Sequence, residues 1–308
     1  MLSYGQKACA EYSRSGLSSD AMLAMTYYDA ARVYYQIADY TGDSSWTNCE
    51  SKAEAVYKNY VTVNSGAVPG YWHFTTGFLM DVQHTSDAAS KQAAIALSKN
   101  AMYCADGTPL DWSLDPARSR EVAYCLMSYL NAEALGEPRR ARMTQLADQA
   151  LSHLDQWFIS KSFRQGSGSD VPAATGQYYI QPFMVGLTTQ ALIKYWDATK
   201  DSRVQPVVKA ALDAIWSRAW VASDQAFWYD NWTPDPSMAF PAKPGAPDLN
   251  LLIAPAYAWL YQRTGDTTYR DRGDQIFAGG VKGAWLDGSK QFNQNYMWSF
   301  DYVKWRQQ

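Results

Sequence analysis

Thr41-Gly42-Asp43-Ser44-Ser45-Trp46 and Thr264-Gly265-Asp266-Thr267-Thr268-Tyr269 stand near opposite ends of a 308-residue chain and read alike. Glycine ends a helix by taking the left-handed conformation at its C-terminus. Aspartate then caps the N-terminus of the next helix by accepting from its free amides. Weaker copies follow at Thr85-Ser86-Asp87, Leu135-Gly136-Glu137-Pro138 and Thr199-Lys200-Asp201. The acidic residues fall at 43, 87, 137, 201 and 266, so the spacings are 44, 50, 64 and 65. A period of that length has room for two helices, and predicts a repeat of helical hairpins.

The segments between these turns repeat apolar residues at helical spacing. They predict twelve helices, roughly 3–14, 19–40, 44–62, 72–84, 86–104, 117–135, 138–160, 178–198, 201–219, 248–263, 267–279 and 292–306. Only Ala226-Phe227-Trp228-Tyr229-Asp230 reads as a short strand. The helix before each turn is aromatic-rich and almost uncharged, as in Ala21–Tyr28, Gln181–Leu187 and Leu251–Tyr257. The helix after it is amphipathic, as in Ser51–Val56. A helix apolar all round is buried, and an amphipathic one lies outside. Each unit is therefore an inner helix, a tight turn, an outer helix and a long loop. Five turns plus an inner helix at 292–306 give six inner helices, with 3–14 as the missing outer partner. The expected fold is all-α, an (α/α)6 toroid formed by residues 1–308 as one domain. An open solenoid is the rival, but its last helix should present a polar outer face. Here 292–306 carries Phe292, Tyr296, Trp298, Phe300, Tyr302 and Trp305.

With this architecture the chain resembles the six-hairpin glycosidases and the related toroidal polysaccharide lyases. The resemblance spans the whole chain and rests on the hairpin order and the Thr-Gly-Asp turns. It implies a poly- or oligosaccharide substrate. Composition narrows the alternatives. A net charge of −3 argues against nucleic acid as a partner. No apolar run reaches the roughly 18 residues of a membrane span. With three His, four Cys and no CxxC, a structural zinc is not expected. P-loop and dinucleotide fingerprints and an Asp-Asp-x-x-Asp motif are missing, and Gly166-Ser167-Gly168 lacks the strand context of a nucleophile elbow. No cofactor and no metal are expected, and the chain is read as a monomer. Met1 to Lys7 has no signal-peptide character. A secreted or periplasmic location is expected on the glycan reading. Cys9 with Cys49, and Cys104 with Cys125, are expected to lie close together, because their helices are neighbours in the ring.

All tight turns share one rim, so the long loops, roughly 63–71, 105–117, 161–177, 220–247 and 280–291, share the other. Trp112, Trp228, Tyr229, Trp232 and Trp285 lie in them, and Tyr71, Trp72, Tyr178 and Tyr179 stand where loop meets helix. Aromatic faces stack on pyranose rings, and polar neighbours take the hydroxyls. Asp111, Asp115, Arg118, Arg120, Asp230, Asn231, Asp235, Asp248 and Asn250 are interleaved there. Some of these Trp could equally plug the ring. His73, in Gly70-Tyr71-Trp72-His73-Phe74, begins the fourth helix and is weighed as a catalytic base against a structural role.

Glycoside hydrolysis needs two carboxyl groups about 5–10 Å apart. Glu121 is the only Glu on the loop rim, and Asp248 enters on a different inner helix; Asp230 and Asp115 are the reserves. The competing readings are helix caps for Asp115 and Asp248 and an Arg118 ion pair for Glu121. Glu121, held ionised by Arg118 and Arg120, is read as nucleophile or base, and Asp248 as acid. Asp287-Gly288-Ser289 and Gln291–Trp298, with Asn293, Asn295 and Tyr296, loosely resemble lyase elements. On that reading an amide neutralises a uronate and Tyr or His removes its C5 proton. The rim cations Arg118, Arg120, Arg164, Lys243, Lys282 and Lys290 are matched by Asp, which favours a neutral or weakly charged glycan. The expected function is thus a glycoside hydrolase, with a lyase or a non-catalytic glycan-binding domain as alternatives. Isomerases, and terpenoid-type chemistry on a similar helical toroid, rank below these. Trp72, His73, Trp112, Arg120, Glu121, Tyr179, Trp228, Asp230, Asp248, Asn293 and Asn295 are expected to converge on one cleft.

Overall fold

The structure is a computed structural model that describes residues 1–155, 178–233 and 242–307, with the side chains of 178–180 and 231–233 outside the description. Among the described residues it is all-α save for four short strands, and the helices form the expected α/α toroid. The inner helices are α3 (Ala30–Thr41), α5 (Thr76–Thr85), α7 (Ser119–Ala134), α9 (Pro182–Thr199), α11 (Ala254–Thr264) and the pair α13 (Ser289–Tyr296) and α14 (Ser299–Arg306). Each packs on the next, and α13 returns to α3, so the ring closes. The outer helices are α1 (Leu2–Glu11), α4 (Thr47–Val63), α6 (Ala88–Asn100), α8 (Arg142–Leu154), α10 (Val204–Ala219) and α12 (Thr267–Gly283). A short α2 (Ser19–Met25) leads into α3.

The tight turns are built alike. Gly42, Ser86, Gly136, Lys200 and Gly265 all take positive φ, between 57° and 96°. In four of the five, the threonine hydroxyl donates to the carbonyl four residues back and accepts from the aspartate amide. The aspartate carboxylate then accepts from the amide two residues on. These threonine and aspartate bonds are the same whether glycine, serine or lysine sits between the two residues.

Ring closure is carried by residues far apart in sequence. Lys7 of α1 pairs with Asp287 at 2.5 Å, across a separation of 280 residues. The ring edge of Phe292 lies against Gly5, where a β-carbon would be 2.8 Å from it. Arg32 of α3 reaches Asp301 of α14 at 3.4 Å. Both expected cysteine pairs are joined as disulfides, Cys9–Cys49 and Cys104–Cys125.

The inner helices depart from their expected ends for physical reasons. The stretch 19–40 breaks at Tyr28 and Asp29, both at positive φ. The stretch 292–306 breaks at Met297 and Trp298. Gly70–Trp72 is a 3-10 turn, so α5 starts only at Thr76 and His73 lies before it. Pro247–Leu252 is likewise 3-10, with the α-helix beginning before Pro255, where a proline fits the first turn. Tyr178 and Tyr179 begin no helix; they belong to strand β1 (Tyr178–Ile180), which pairs antiparallel with β4 (Asn231–Thr233). The expected strand at 226 is β3 (Ala226–Phe227), paired with β2 (Trp220–Val221).

Candidate functional site

The loop rim is organised by the break in the first inner stretch. Asn293 of α13 donates its amide to the carbonyls of Met25 (2.9 Å) and Tyr27 (2.8 Å). Asp29 accepts from the Gly77 amide at 3.1 Å, fixing the other side of the break to the start of α5. Two consecutive non-glycine residues at φ near +60° are costly and persist only where the surroundings hold them. The strained segment presents Tyr27 and Tyr28 to the mouth of the ring.

Around them the rim is densely aromatic. Tyr27 packs edge-on against Tyr28, Trp72 and Phe74 at 4.8, 4.9 and 5.3 Å. Phe74 in turn meets Tyr124 of α7. The Lys290 ammonium lies over the Tyr27 ring, 5.1 Å from its centre. The Arg120 guanidinium lies 5.9 Å from the centre of the exposed Tyr71 ring. Across the mouth, exposed Tyr229 stacks on Phe183 at the start of α9.

Glu121 sits beneath these rings on the first turn of α7, only 3% exposed. Its Oε1 is 2.5 Å from Arg120 Nη2, and its Oε2 is buried with no hydrogen-bond partner. Of the two arginines expected beside it, Arg120 makes this pair. Gly70 lets the chain pass close over the carboxylate side chain, since a β-carbon there would be 2.7 Å from Glu121 Cγ. The Tyr124 hydroxyl is also buried without a partner. Burial raises the phenol pKa of Tyr27, with Arg120 opposing it, and raises those of Tyr28 and Tyr124 further. Burial alone would lower the Arg120 pKa, but Glu121, Tyr27 and Tyr124 outweigh it and the guanidinium is held strongly protonated. Burial, then Tyr27, raises the Tyr28 pKa most, and the Asp248 charge adds to it. Asp248 is fixed by Gln294, whose amide donates to its carbonyl at 2.8 Å and reaches its carboxylate at 3.4 Å.

The expected residues therefore divide. Trp72 packs on Tyr27, Arg120 pairs with Glu121, Asn293 holds the Tyr27 carbonyl, and Asp248 is bonded to Gln294. Trp228 is buried and Asp230 is ion-paired with Lys243 at 3.0 Å; they flank Tyr229. Other residues are committed elsewhere. Asn250 is fully buried and donates to the carbonyls of Gln225 and Ile276. Asn295 donates to Gln291, and Tyr296 packs between Phe292 and Phe300. Asp115 is buried and caps a 3-10 turn through the Ala117 amide. The exposed Trp112 belongs to the turn Leu110–Ser113, which Gln149 and His153 tie to the outer helix α8. Arg118 is half-buried and precedes the first residue of α7. The side chains of Tyr178, Tyr179 and Trp232 lie outside the described residues, as do Arg164 and Asp235.

His73 is 2% exposed and lies under the rim, not on it. It borders a narrow cavity of about 20 Å³ inside the ring, together with Asp29, Arg32, Tyr124 and Met297. Its Nδ1 is 3.6 Å from Cys104 Sγ, a disulfide sulfur that can only accept, so Nδ1 carries the proton and the unpartnered Nε2 carries the lone pair. Burial pushes its pKa down to about 3. So weakly basic an imidazole is poorly suited to take a proton from a polymer on the rim.

Tyr27, Tyr28 and Tyr124 were not among the expected site residues, because an apolar inner stretch reads as core. The Tyr-Tyr-Asp sequence at 27–29, polar groups inside an apolar run, is the signal that marks them. No protein-family model matches the sequence, and no curated protein matches it. Among solved structures, one described as an unsaturated glucuronyl hydrolase variant with dGlcA-Glc-Rha-Glc is similar at 13% identity and a TM-score of 0.44. The likeness covers 70% of this chain and 57% of that one.

Proposed function

We propose that the chain is a glycan-degrading glycoside hydrolase, with a poly- or oligosaccharide bound across Tyr27, Tyr71, Trp72 and Tyr229. The observation that carries the reading is Glu121. Its carboxylate is buried, one oxygen is clamped by Arg120, and the other has no hydrogen-bond partner within the protein. A buried polar atom without a partner is costly, and a sugar hydroxyl, an anomeric carbon or an attacking water would meet it. In this reading Glu121 is the nucleophile or base. Asp248, whose charge Tyr28 feels, is assigned as the acid that protonates the leaving oxygen, the second carboxyl such hydrolysis needs. The exposed faces of Tyr71 and Tyr229 give the sugar rings their stacking surfaces. The reaction as proposed uses no cofactor or metal. The monomer is likewise a proposal, and so is a secreted or periplasmic location, which the two disulfides support.

A uronate lyase is the second reading, favoured by one feature: the cations Arg120 and Lys290 flank the tyrosine pair at the mouth. A panel of neutral and acidic polysaccharides, assayed for new reducing ends and for ultraviolet absorbance, separates the two. Hydrolysis gives reducing ends without absorbance, and elimination gives both. Glu121→Gln keeps the side chain's shape and is expected to lower turnover at least about 100-fold with binding retained. A variant keeping more than a tenth of the rate would remove Glu121 from the chemistry. Binding without turnover by the wild-type chain across the panel would leave a glycan-binding domain.

A further inference from the structure

Away from the rim, three buried carboxylates meet between the first two hairpins. Glu50 and Glu54 lie one turn apart on α4, and Asp81 faces them from α5. One oxygen from each lies within 4.8 Å of the other two. The residues are 2%, 5% and 4% exposed. Hydroxyl groups orient them: Tyr35 of α3 donates to Asp81 Oδ1 at 2.7 Å, and Ser90 of α6 donates to Glu54 Oε1 at 2.5 Å. Thr85 adds a second bond to Asp81 Oδ1. A separate observation points to a ligand. Glu50 Oε1 and Asp81 Oδ2 are fully buried and have no hydrogen-bond partner.

The charge around the cluster does not balance. Lys58 is the nearest ammonium, 3.6 Å from Glu54, but it lies closer to Asp87, at 2.5 Å. His84 stacks on the Tyr35 ring and faces Asp39. Three buried carboxylates thus share part of one lysine, and burying unpaired charge is costly.

We infer that Glu50, Glu54 and Asp81 form a binding site for a hard divalent cation, calcium in the first place, which fastens the first hairpin of the ring to the second. The donors are all oxygen, which selects calcium, magnesium or manganese over zinc or copper. The three oxygens lie within 4.8 Å of one another, a spread better matched to calcium's bonds of about 2.3–2.6 Å than to magnesium's of about 2.0–2.1 Å. The hydroxyls of Tyr35 and Ser90 each bond one oxygen of Asp81 and Glu54 and leave the second oxygen of each to the ion, the way hydrogen-bonding neighbours orient metal ligands. The site lies apart from Glu121 and contributes to stability, not to turnover.

The test uses the full chain, stripped with EDTA and titrated with calcium chloride by calorimetry and by thermal melting. One saturable site is expected, with Tm rising about 4 °C at a hundredfold excess of calcium over its Kd. Magnesium should bind more weakly. Glu50→Gln, with its fold checked by circular dichroism, should lose both the heat and the Tm shift; if it fails to fold, Asp81→Asn is read in its place. A wild-type chain whose heat and Tm respond to none of calcium, magnesium or manganese overturns the proposal. So does a calcium response that survives both substitutions, since the ion would then bind elsewhere.

Discussion

Gly70→Ala tests whether the position of Glu121, as distinct from its chemistry, sets the rate. The new methyl would stand 2.7 Å from Glu121 Cγ, 2.9 Å from Tyr103 Cδ2 and 3.1 Å from Glu121 Cβ. Ordinary contact begins at 3.4 Å, so the Glu121 side chain must retreat by about 0.7 Å (3.4 − 2.7) or the 70–72 turn must lift by as much. Gly70 has no positive φ, so the change adds no backbone strain. Overpacking of this size costs about 1–3 kcal/mol. A misplacement near 1 Å costs about 100-fold in rate, so turnover should fall roughly 10- to 100-fold. Arg120 still neutralises the carboxylate, so glycan binding should change much less. The assay compares kcat and KM of the two proteins on the glycan identified by the panel, alongside their Tm values. Gly70→Ala with more than half the wild-type kcat and a lowered Tm would refute the reasoning, because the strain would then be present without any effect on catalysis.

Other outcomes follow from the same structure. His73 is held neutral in the fold with a pKa near 3, but protonates near its usual 6.5 when unfolded. The unfolded chain thus binds the extra proton between those values, and stability falls as the pH drops through that window. The loss should reach about 2 kcal/mol between pH 6.5 and 5 and be absent in His73→Gln, as read from urea unfolding at each pH. Replacing Cys9 and Cys49 together by serine opens a loop with a sequence separation of 40 and should cost about 2–4 kcal/mol in denaturant unfolding; an unchanged midpoint would mean the link constrains nothing. Gly279→Ala would place a methyl 1.9 Å from the Gln225 carbonyl oxygen, a main-chain atom that cannot step aside. A loss of about 3 kcal/mol is expected, and a loss under 1 kcal/mol would show that the 220–228 hairpin yields freely.

What could be read from the sequence was what local chemistry dictates. The Thr-x-Asp turns are closed by bonds among neighbours, so four short strings locate four helix ends, even where Ser86 or Lys200 replaces glycine. Glu121 was legible because the turns placed its helix start on the opposite rim. The rest depends on contacts between distant segments. The break at Tyr28–Asp29 is held by Asn293 and Gly77, and neither bond leaves a periodic trace in 19–40. Tyr178–Ile180 forms a strand because Asn231–Thr233 comes alongside. Asn250 and Asn295 looked like ligand-binding amides, yet each satisfies a carbonyl in the protein interior. Composition cannot tell an amide that serves the fold from one that serves a substrate.

The joining of α1 to α13 has a consequence for how the protein is made. Lys7 meets Asp287 only after the intervening chain has been synthesised. Until then a nascent chain holds a run of hairpins whose inner faces lack their last neighbour. Bringing together points 280 residues apart costs about 5 kcal/mol of chain entropy, less whatever the earlier hairpins have already withdrawn by docking in order. Closure should therefore be the late, slow step, and a ribosome-bound chain short of residue 287 should be far easier for a protease to cut than the released protein.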